Sequence, residues 1–188
     1  MKKILLICAV ALTAAQTLSA QKLYSFLDVG EPVNQYPAAT WLKGNGITAF
    51  DQDKTYLIEL WATWCKPCIK SMPHMSALAA KFKDKITFIS QGVWESDTAK
   101  VRQFIADNPA FFANNLVAFD GEKDKSPFDR HWLKPSGTFG IPRTFLIRNN
   151  KIVWITNPFD LTEEHLQLLV EGKLTVDQAK AIVQKNKS

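Results

Sequence analysis

Cys65 and Cys68 form a Cys-x-x-Cys pair within the sequence WATWCKPC, residues 61–68. Two thiols at this spacing can cycle between a dithiol and a disulfide, or they can bind a metal ion. The third cysteine, Cys8, lies in an apolar N-terminal segment, so the chain lacks the several widely spaced cysteines of a structural disulfide framework. The pair therefore predicts redox exchange or metal binding.

The sequence around the pair predicts that it lies where a strand ends and a helix begins. Residues 56–61 are mostly apolar on both faces, as in a central strand covered by helices. An amphipathic stripe at spacings of three and four follows Cys68: Met72, Met75, Leu78, Ala79 and Phe82. Because a helix N-terminus stabilises a thiolate, we expect Cys65 to be partly exposed and nucleophilic. We expect Cys68 to be more buried and to resolve the mixed disulfide.

Further periodicity and turn signals predict an α/β sandwich with a mixed sheet. The other predicted strands are 86–90, 116–119, 144–147 and 152–155, and the other predicted helices are 98–106, 161–171 and 175–184. Two asparagines separate the last two strands, which predicts an antiparallel hairpin along one side of an otherwise parallel set. Thr162 is expected to cap the helix at 161–171, and Gly172 is expected to end it.

The first twenty residues have the organisation of a secretory signal peptide. Lys2 and Lys3 form a basic start, an uncharged apolar run follows, and the segment ends in Ser19 and Ala20. The apolar run is shorter than the roughly 20 residues that cross a bilayer as a helix, although retention as a membrane anchor is the alternative. We therefore expect residues 1–20 to be removed on export to the periplasm, and residues 21–188 to form one domain.

Charge and histidine placement narrow the classes of partner. The net charge of +5 comes from 23 basic and 18 acidic residues without a basic stripe of interleaved aromatic side chains, so nucleic acid is not an expected partner. No second Cys-x-x-Cys pair is present, and the three histidines are scattered, so no metal site is expected. A non-catalytic module that handles copper or haem through the two thiols and a histidine is the alternative to an enzyme.

Two segments resemble the thioredoxin superfamily. WATWCKPC is similar to the family signature W-A-x-W-C-x-x-C, and GIPRTFLI, residues 140–147, resembles its cis-proline segment and following strand. The long gap between the two segments is similar to that of TlpA/ResA-like proteins. The resemblance implies a thioredoxin-like sandwich, in which helices flank a mixed central sheet. The helix at 98–106 and the strand at 116–119 would be the extra elements inserted before the cis-proline strand.

The resemblance also implies roles for individual residues. Pro142 would follow a cis peptide bond and pack beside the disulfide, and Ile141 would offer its backbone to a substrate strand. Glu59 matches the buried acid of thioredoxin that shuttles a proton for the second cysteine. A glutamate that faces solvent or pairs with a lysine is the alternative. Ser71 departs from the pattern, since many relatives carry glutamate there, and this puts the narrow role in cytochrome c maturation in doubt.

The implied function is thiol–disulfide exchange on proteins of the bacterial cell envelope. We expect reduction rather than formation of disulfides, because the resemblance is to electron-donating members. Trp64, Lys66, Pro67 and Arg143 are expected to contact the substrate, and Lys66 would add a cation near the Cys65 thiolate. No cofactor other than the disulfide is expected. A membrane electron-donor protein would recharge the chain, which we expect to be a monomer.

Overall fold

The computed structural model describes residues 26–187, and the predicted signal peptide at residues 1–20 lies outside them. A six-stranded sheet has the order β1-β4-β3-β2-β5-β6. Its strands are β1 (Thr40–Lys43), β2 (Thr55–Trp61), β3 (Thr87–Val93), β4 (Asn115–Asp120), β5 (Arg143–Arg148) and β6 (Lys151–Thr156). The helices are α1 (Lys66–Phe82), α2 (Thr98–Asp107), α3 (Glu163–Val170) and α4 (Val176–Lys185). None of the helices within residues 26–187 combines the length and apolar character needed to cross a membrane.

The pairing of the strands confirms the predicted mixed sheet. The three strands β2, β3 and β4 are parallel, and the β5–β6 hairpin joins antiparallel to the open side of β2. The predicted helix at 98–106 and strand at 116–119 are present as α2 and β4. The edge strand β1 is antiparallel to β4. The sequence predicts only short strands and turns before residue 54 and does not locate this strand, because it has four residues and none of them is buried.

The helix predicted at 161–171 is shorter in the structure. It begins at Glu163, because Thr162 has extended backbone angles and its hydroxyl accepts a hydrogen bond as the N-cap. The predicted capping role of Thr162 is confirmed. Gly172 follows the helix with φ +70°, the left-handed conformation in which glycine ends many helices.

The central strand β2 is buried along its whole length and separates two cores. Ile58 and Leu60 belong to the core on one face, while Leu57 and Trp61 pack into the clusters that include α1. Alternate side chains of a strand point to opposite faces, so Glu59 lies on the α1 face. A buried carboxyl group is therefore placed under the helix that carries the cysteines.

The parallel arrangement also fixes where the loops meet. The carboxyl ends of parallel strands lie at one edge of a sheet, and Trp61 at the end of β2 pairs with Gly92 near the end of β3. The loop that leads from β2 into α1 therefore lies beside the turn that follows β3. This edge holds the cysteine pair.

A buried histidine joins the two C-terminal helices. The ring of His165 stacks on Trp154, with centroids 4.8 Å apart. Its Nε2–H donates to the Ala179 carbonyl (3.0 Å), so Nδ1 is the acceptor for the Thr162 amide (3.1 Å). The bond to Nδ1 requires the neutral ring, because a protonated ring has no nitrogen that can accept a hydrogen bond.

Acidic pH is expected to weaken the contact that His165 makes between α3 and α4. Burial lowers the pKa of His165 below its ordinary value, so the unfolded chain binds the proton more readily and stability falls as the pH drops below about 6.5. We expect His165→Gln to be less stable by about 1–3 kcal/mol at pH 8, since buried hydrogen bonds are lost. This deficit should shrink towards pH 5 in urea unfolding curves. A deficit that does not depend on pH would contradict this role.

Candidate active site

The two cysteines form a disulfide at the start of α1. The S–S distance is 1.99 Å and the two Cα atoms are 5.2 Å apart. Cys65 is the N-cap of α1, and its Sγ accepts a hydrogen bond from the Cys68 amide at 3.2 Å. Pro67 lies in the first turn, where an amide hydrogen has no helical partner, so the proline does not disturb the helix. The Cys65 sulfur therefore lies at the positive end of a helix.

Cys65 is more buried than the sequence indicated. It is 3% exposed and Cys68 is fully buried, so the prediction of a partly exposed Cys65 is wrong for the disulfide form. The cause is local packing, because Cys65 belongs to an apolar cluster with Trp61 and Met72, and Ile141 packs against this cluster. Little of Cys65 is therefore accessible to a partner in the disulfide form.

The segment before β5 closes one side of the disulfide. The peptide bond between Ile141 and Pro142 is cis, and Pro142 is buried. The Ile141 carbonyl oxygen lies 3.7 Å from Cys65 Sγ. Arg143 is half-buried, and its Nε has no hydrogen-bond partner among the described residues. The structure therefore brings Ile141 to the cysteine pair and places Pro142 and Arg143 directly after it.

Glu59 lies on the α1 face of β2 and is 4% exposed. Its Oε1 is 3.5 Å from the Ser71 hydroxyl, which also donates to the Cys68 carbonyl at 2.8 Å. Burial raises the pKa of Glu59 to about 8, although the Ser71 hydrogen bond opposes this rise. The alternative of a solvent-facing or lysine-paired glutamate is wrong, since Glu59 is buried and takes part in none of the ion pairs within residues 26–187.

Three residues next to the cysteines in the sequence have exposed side chains. Trp64, directly before Cys65, is 52% exposed, and its indole N–H donates to the Trp94 carbonyl at 3.2 Å. Lys66 and Pro67 are both exposed on the first turn of α1. The surface next to the pair is therefore partly apolar and carries one cation.

A family model described as Redoxin matches residues 34–167. The chain belongs to the Redoxin family. Thiol-disulfide oxidoreductase ResA of Bacillus thuringiensis strain Al Hakam is 32% identical over 151 residues, which cover 77% of this chain and 78% of the relative. The resemblance to TlpA/ResA-like members of the thioredoxin superfamily is thereby confirmed.

Solved structures agree with this membership. A putative thiol:disulfide interchange protein DsbE from Chlorobium tepidum is 26% identical with a TM-score of 0.54, and the match covers 78% of this chain and 98% of that one. The thioredoxin domain of a thiol-disulfide oxidoreductase from Bacteroides vulgatus has a TM-score of 0.58 at 21% identity, which shows the fold alone; 78% of this chain and 97% of that one are covered. With its paired cysteines, this Redoxin-family chain is a thiol–disulfide oxidoreductase.

Sequence reasoning missed two residues at the site of this Redoxin-family chain, Trp94 and Glu95, and an exposed aromatic side chain close to Ile141 in the sequence. Phe139 is 80% exposed and lies two residues before Ile141. Trp94 and Glu95 follow β3 and contact the loop before Cys65. The rule that parallel strands end at one edge could have found the last two, because they directly follow the strand that neighbours β2.

Metal binding was the alternative chemistry for the two thiols. Within residues 26–187, no group of three or more histidine, cysteine and acidic side chains is placed to hold a metal ion. Two of the histidines contact backbone carbonyls instead: His74 contacts Leu161 (2.9 Å), and His165 contacts Ala179 (3.0 Å).

Proposed function

We propose that this oxidoreductase reduces protein disulfides in the cell envelope through Cys65. The Cys65 thiolate attacks one sulfur of the substrate disulfide, and the other substrate sulfur leaves as a thiolate. Cys68 then attacks the Cys65 sulfur, which releases the second substrate thiolate and leaves the Cys65–Cys68 disulfide. Two electrons pass from the pair to the substrate in each cycle.

The position of Cys65 as the N-cap of α1 carries this proposal. The Cys68 amide already donates to its sulfur at 3.2 Å, and a thiolate would accept the same hydrogen bond. The helix N-terminus adds a partial positive charge, and both effects favour the ionised nucleophile at neutral pH. The exposed Lys66 supplies a further cation on the same turn.

Glu59 is proposed as the proton acceptor for Cys68. The attack on the mixed disulfide requires that Cys68 lose its proton, and a carboxyl group with a pKa of about 8 can exchange a proton near neutral pH. Ser71 lies between this carboxyl group and the Cys68 backbone.

The substrate is proposed to bind across the open side of the disulfide. Ile141 would pair its backbone with an extended substrate segment, and the buried Pro142 would hold that backbone beside Cys65. The remaining substrate contacts are proposed for Trp64, Lys66, Pro67 and Arg143.

The location and direction of the reaction rest on the sequence. Residues 1–20 have the order of a secretory signal, which supports export to the periplasm. The resemblance of the cysteine and proline segments to electron-donating members of the thioredoxin superfamily supports reduction, with a membrane protein as the electron donor.

The proposal predicts that Cys68→Ser accumulates covalent complexes with its substrates. The mixed disulfide at Cys65 then has no internal thiol to resolve it, so it should persist on non-reducing gels of cells that express the variant. The complexes should disappear with dithiothreitol. The matched control carries both Cys65→Ser and Cys68→Ser and should trap nothing. Equal trapping by the two variants, or no trapping by either, would refute exchange through Cys65.

A further inference from the structure

Two adjacent residues after β3 hold the loop that leads into the cysteine pair. The Glu95 carboxylate accepts a hydrogen bond from the Thr63 amide, and the Trp94 carbonyl accepts one from the Trp64 indole. Thr63 and Trp64 are the two residues directly before Cys65. Residues after β3 therefore hold the two residues that precede Cys65 in place.

The burial of Glu95 requires a reason. The side chain is 5% exposed, and a buried carboxylate is unfavourable unless it is hydrogen-bonded. Among the described residues, the Thr63 amide is the hydrogen-bond partner that the structure gives this carboxylate, and none of the ion pairs there includes Glu95. The buried Glu95 side chain therefore makes its hydrogen bond to the loop before Cys65.

The turn that carries Glu95 is itself held in an unfavourable conformation. Trp94 has φ +57°, a left-handed backbone that a bulky residue rarely adopts. Its indole N–H donates to Asp129 at 2.7 Å, and the Lys123 ammonium lies 5.0 Å from the centre of its ring. The Glu95 amide donates to the Gly121 carbonyl at 3.2 Å. Such strain persists where the surroundings enforce it, and it is often found at functional sites.

We infer that Glu95 is a positioning residue for the reaction: through the Thr63 amide it fixes the loop before Cys65, and so holds Trp64 where a protein substrate meets the disulfide. This inference rests on the proposed function, because it assigns Trp64 to the substrate surface. The acid touches no reacting atom. Its contribution is an acceptor oxygen at a fixed place, which a glutamine could also supply.

Amide hydrogen exchange tests the contact directly and needs no substrate. In Glu95→Ala, the Thr63 amide should exchange at least about 10-fold faster, because its buried acceptor is gone. In Glu95→Gln, it should stay within about 3-fold of the wild type. The Ile58 amide in the centre of β2 is the internal control and should not change in either variant. Parallel acceleration of Thr63 and Ile58 would mean general destabilisation and would overturn the inference.

Kinetics test the consequence for substrates. The reduced Glu95→Ala protein should lose about 10-fold in kcat/KM for a protein disulfide such as insulin. Its reaction with the small disulfide 5,5′-dithiobis(2-nitrobenzoate) should change less than about 3-fold, because a small reagent does not need Trp64. Glu95→Gln should restore both reactions. Equal losses on the two disulfides, or no rescue by glutamine, would overturn the inference.

Two controls separate the outcomes. His165 contacts Trp154, Thr162 and Ala179, none of which belongs to the cysteine cluster. His165→Gln should therefore lower thermal stability without changing the ratio of the two reactions. A wild-type protein that fails to reduce insulin would remove the proposed reduction of protein disulfides. The exchange rate of the Thr63 amide would still decide whether Glu95 holds the loop.

Discussion

Cys65→Ser should lose turnover of protein disulfides by at least about 1,000-fold, because a serine hydroxyl does not ionise near neutral pH and cannot form the mixed disulfide. The fold should be kept, since the two side chains have similar size. Insulin reduction with dithiothreitol as the electron source measures the loss. Residual turnover within about 10-fold of the wild type would show that Cys65 is not the nucleophile.

Cys68→Ser provides the matched comparison. It should also lose steady-state turnover, but its reduced form should consume about one equivalent of a disulfide substrate, as the mechanism requires one attack by Cys65. Cys65→Ser should consume none. Stopped-flow mixing with a chromogenic disulfide separates the two variants. If Cys65→Ser consumed one equivalent of the disulfide and Cys68→Ser consumed none, the roles of the two cysteines would be reversed.

Glu59→Gln should remove the fall in stability that Glu59 contributes between about pH 5 and 9. The carboxyl group titrates near 4.5 in the unfolded chain and near 8 in the folded protein. Between these values the folded state holds the Glu59 proton and the unfolded state does not, so this group makes the wild type less stable as the pH rises. The variant should be more stable at pH 9 by up to about 4 kcal/mol and similar to the wild type at pH 5.

Urea unfolding at both pH values measures this difference. Glu31→Gln is the control for the loss of an acidic side chain, because Glu31 is exposed. A Glu59→Gln protein that loses stability from pH 5 to pH 9 as steeply as the wild type would show that Glu59 is ionised in the folded state throughout.

Glu59→Gln should also reduce protein disulfides more slowly. Without a proton acceptor beside Cys68, resolution of the mixed disulfide at pH 7 should slow by at least about 10-fold. The deficit should narrow above pH 9, where a free thiol ionises without help. Insulin reduction across this pH range tests the role, and a deficit that does not depend on pH would contradict proton transfer by Glu59.

The features that sequence reasoning predicted correctly are those set by local pattern. The apolar run of β2, the amphipathic stripe of α1 and the paired asparagines of the hairpin each determine their own element. The Cys-x-x-Cys pair fell at a helix N-terminus because a fully buried strand ends four residues before it.

The features that it missed depend on packing between distant segments. The burial of Cys65 comes from the approach of Ile141 to the cysteine cluster, and nothing near Cys65 in the sequence reports that approach. In the sequence, Glu95 is an ordinary polar residue after a strand. Its contact with Thr63 depends on the pairing of β2 and β3, which brings the ends of the two strands together. The burial of Glu59 was left open for the same reason, since it depends on how closely α1 covers β2.

The reduction potential of the Cys65–Cys68 pair tests the central claim most directly. A protein of residues 21–188 would be equilibrated in dithiothreitol or glutathione redox buffers, with the dithiol fraction read from tryptophan fluorescence and checked by thiol alkylation. We expect a reversible two-electron transition at or below about −220 mV, in the range of thioredoxins and glutaredoxins. A value near about −120 mV would contradict the reducing direction, and the absence of a reversible transition would contradict disulfide exchange altogether.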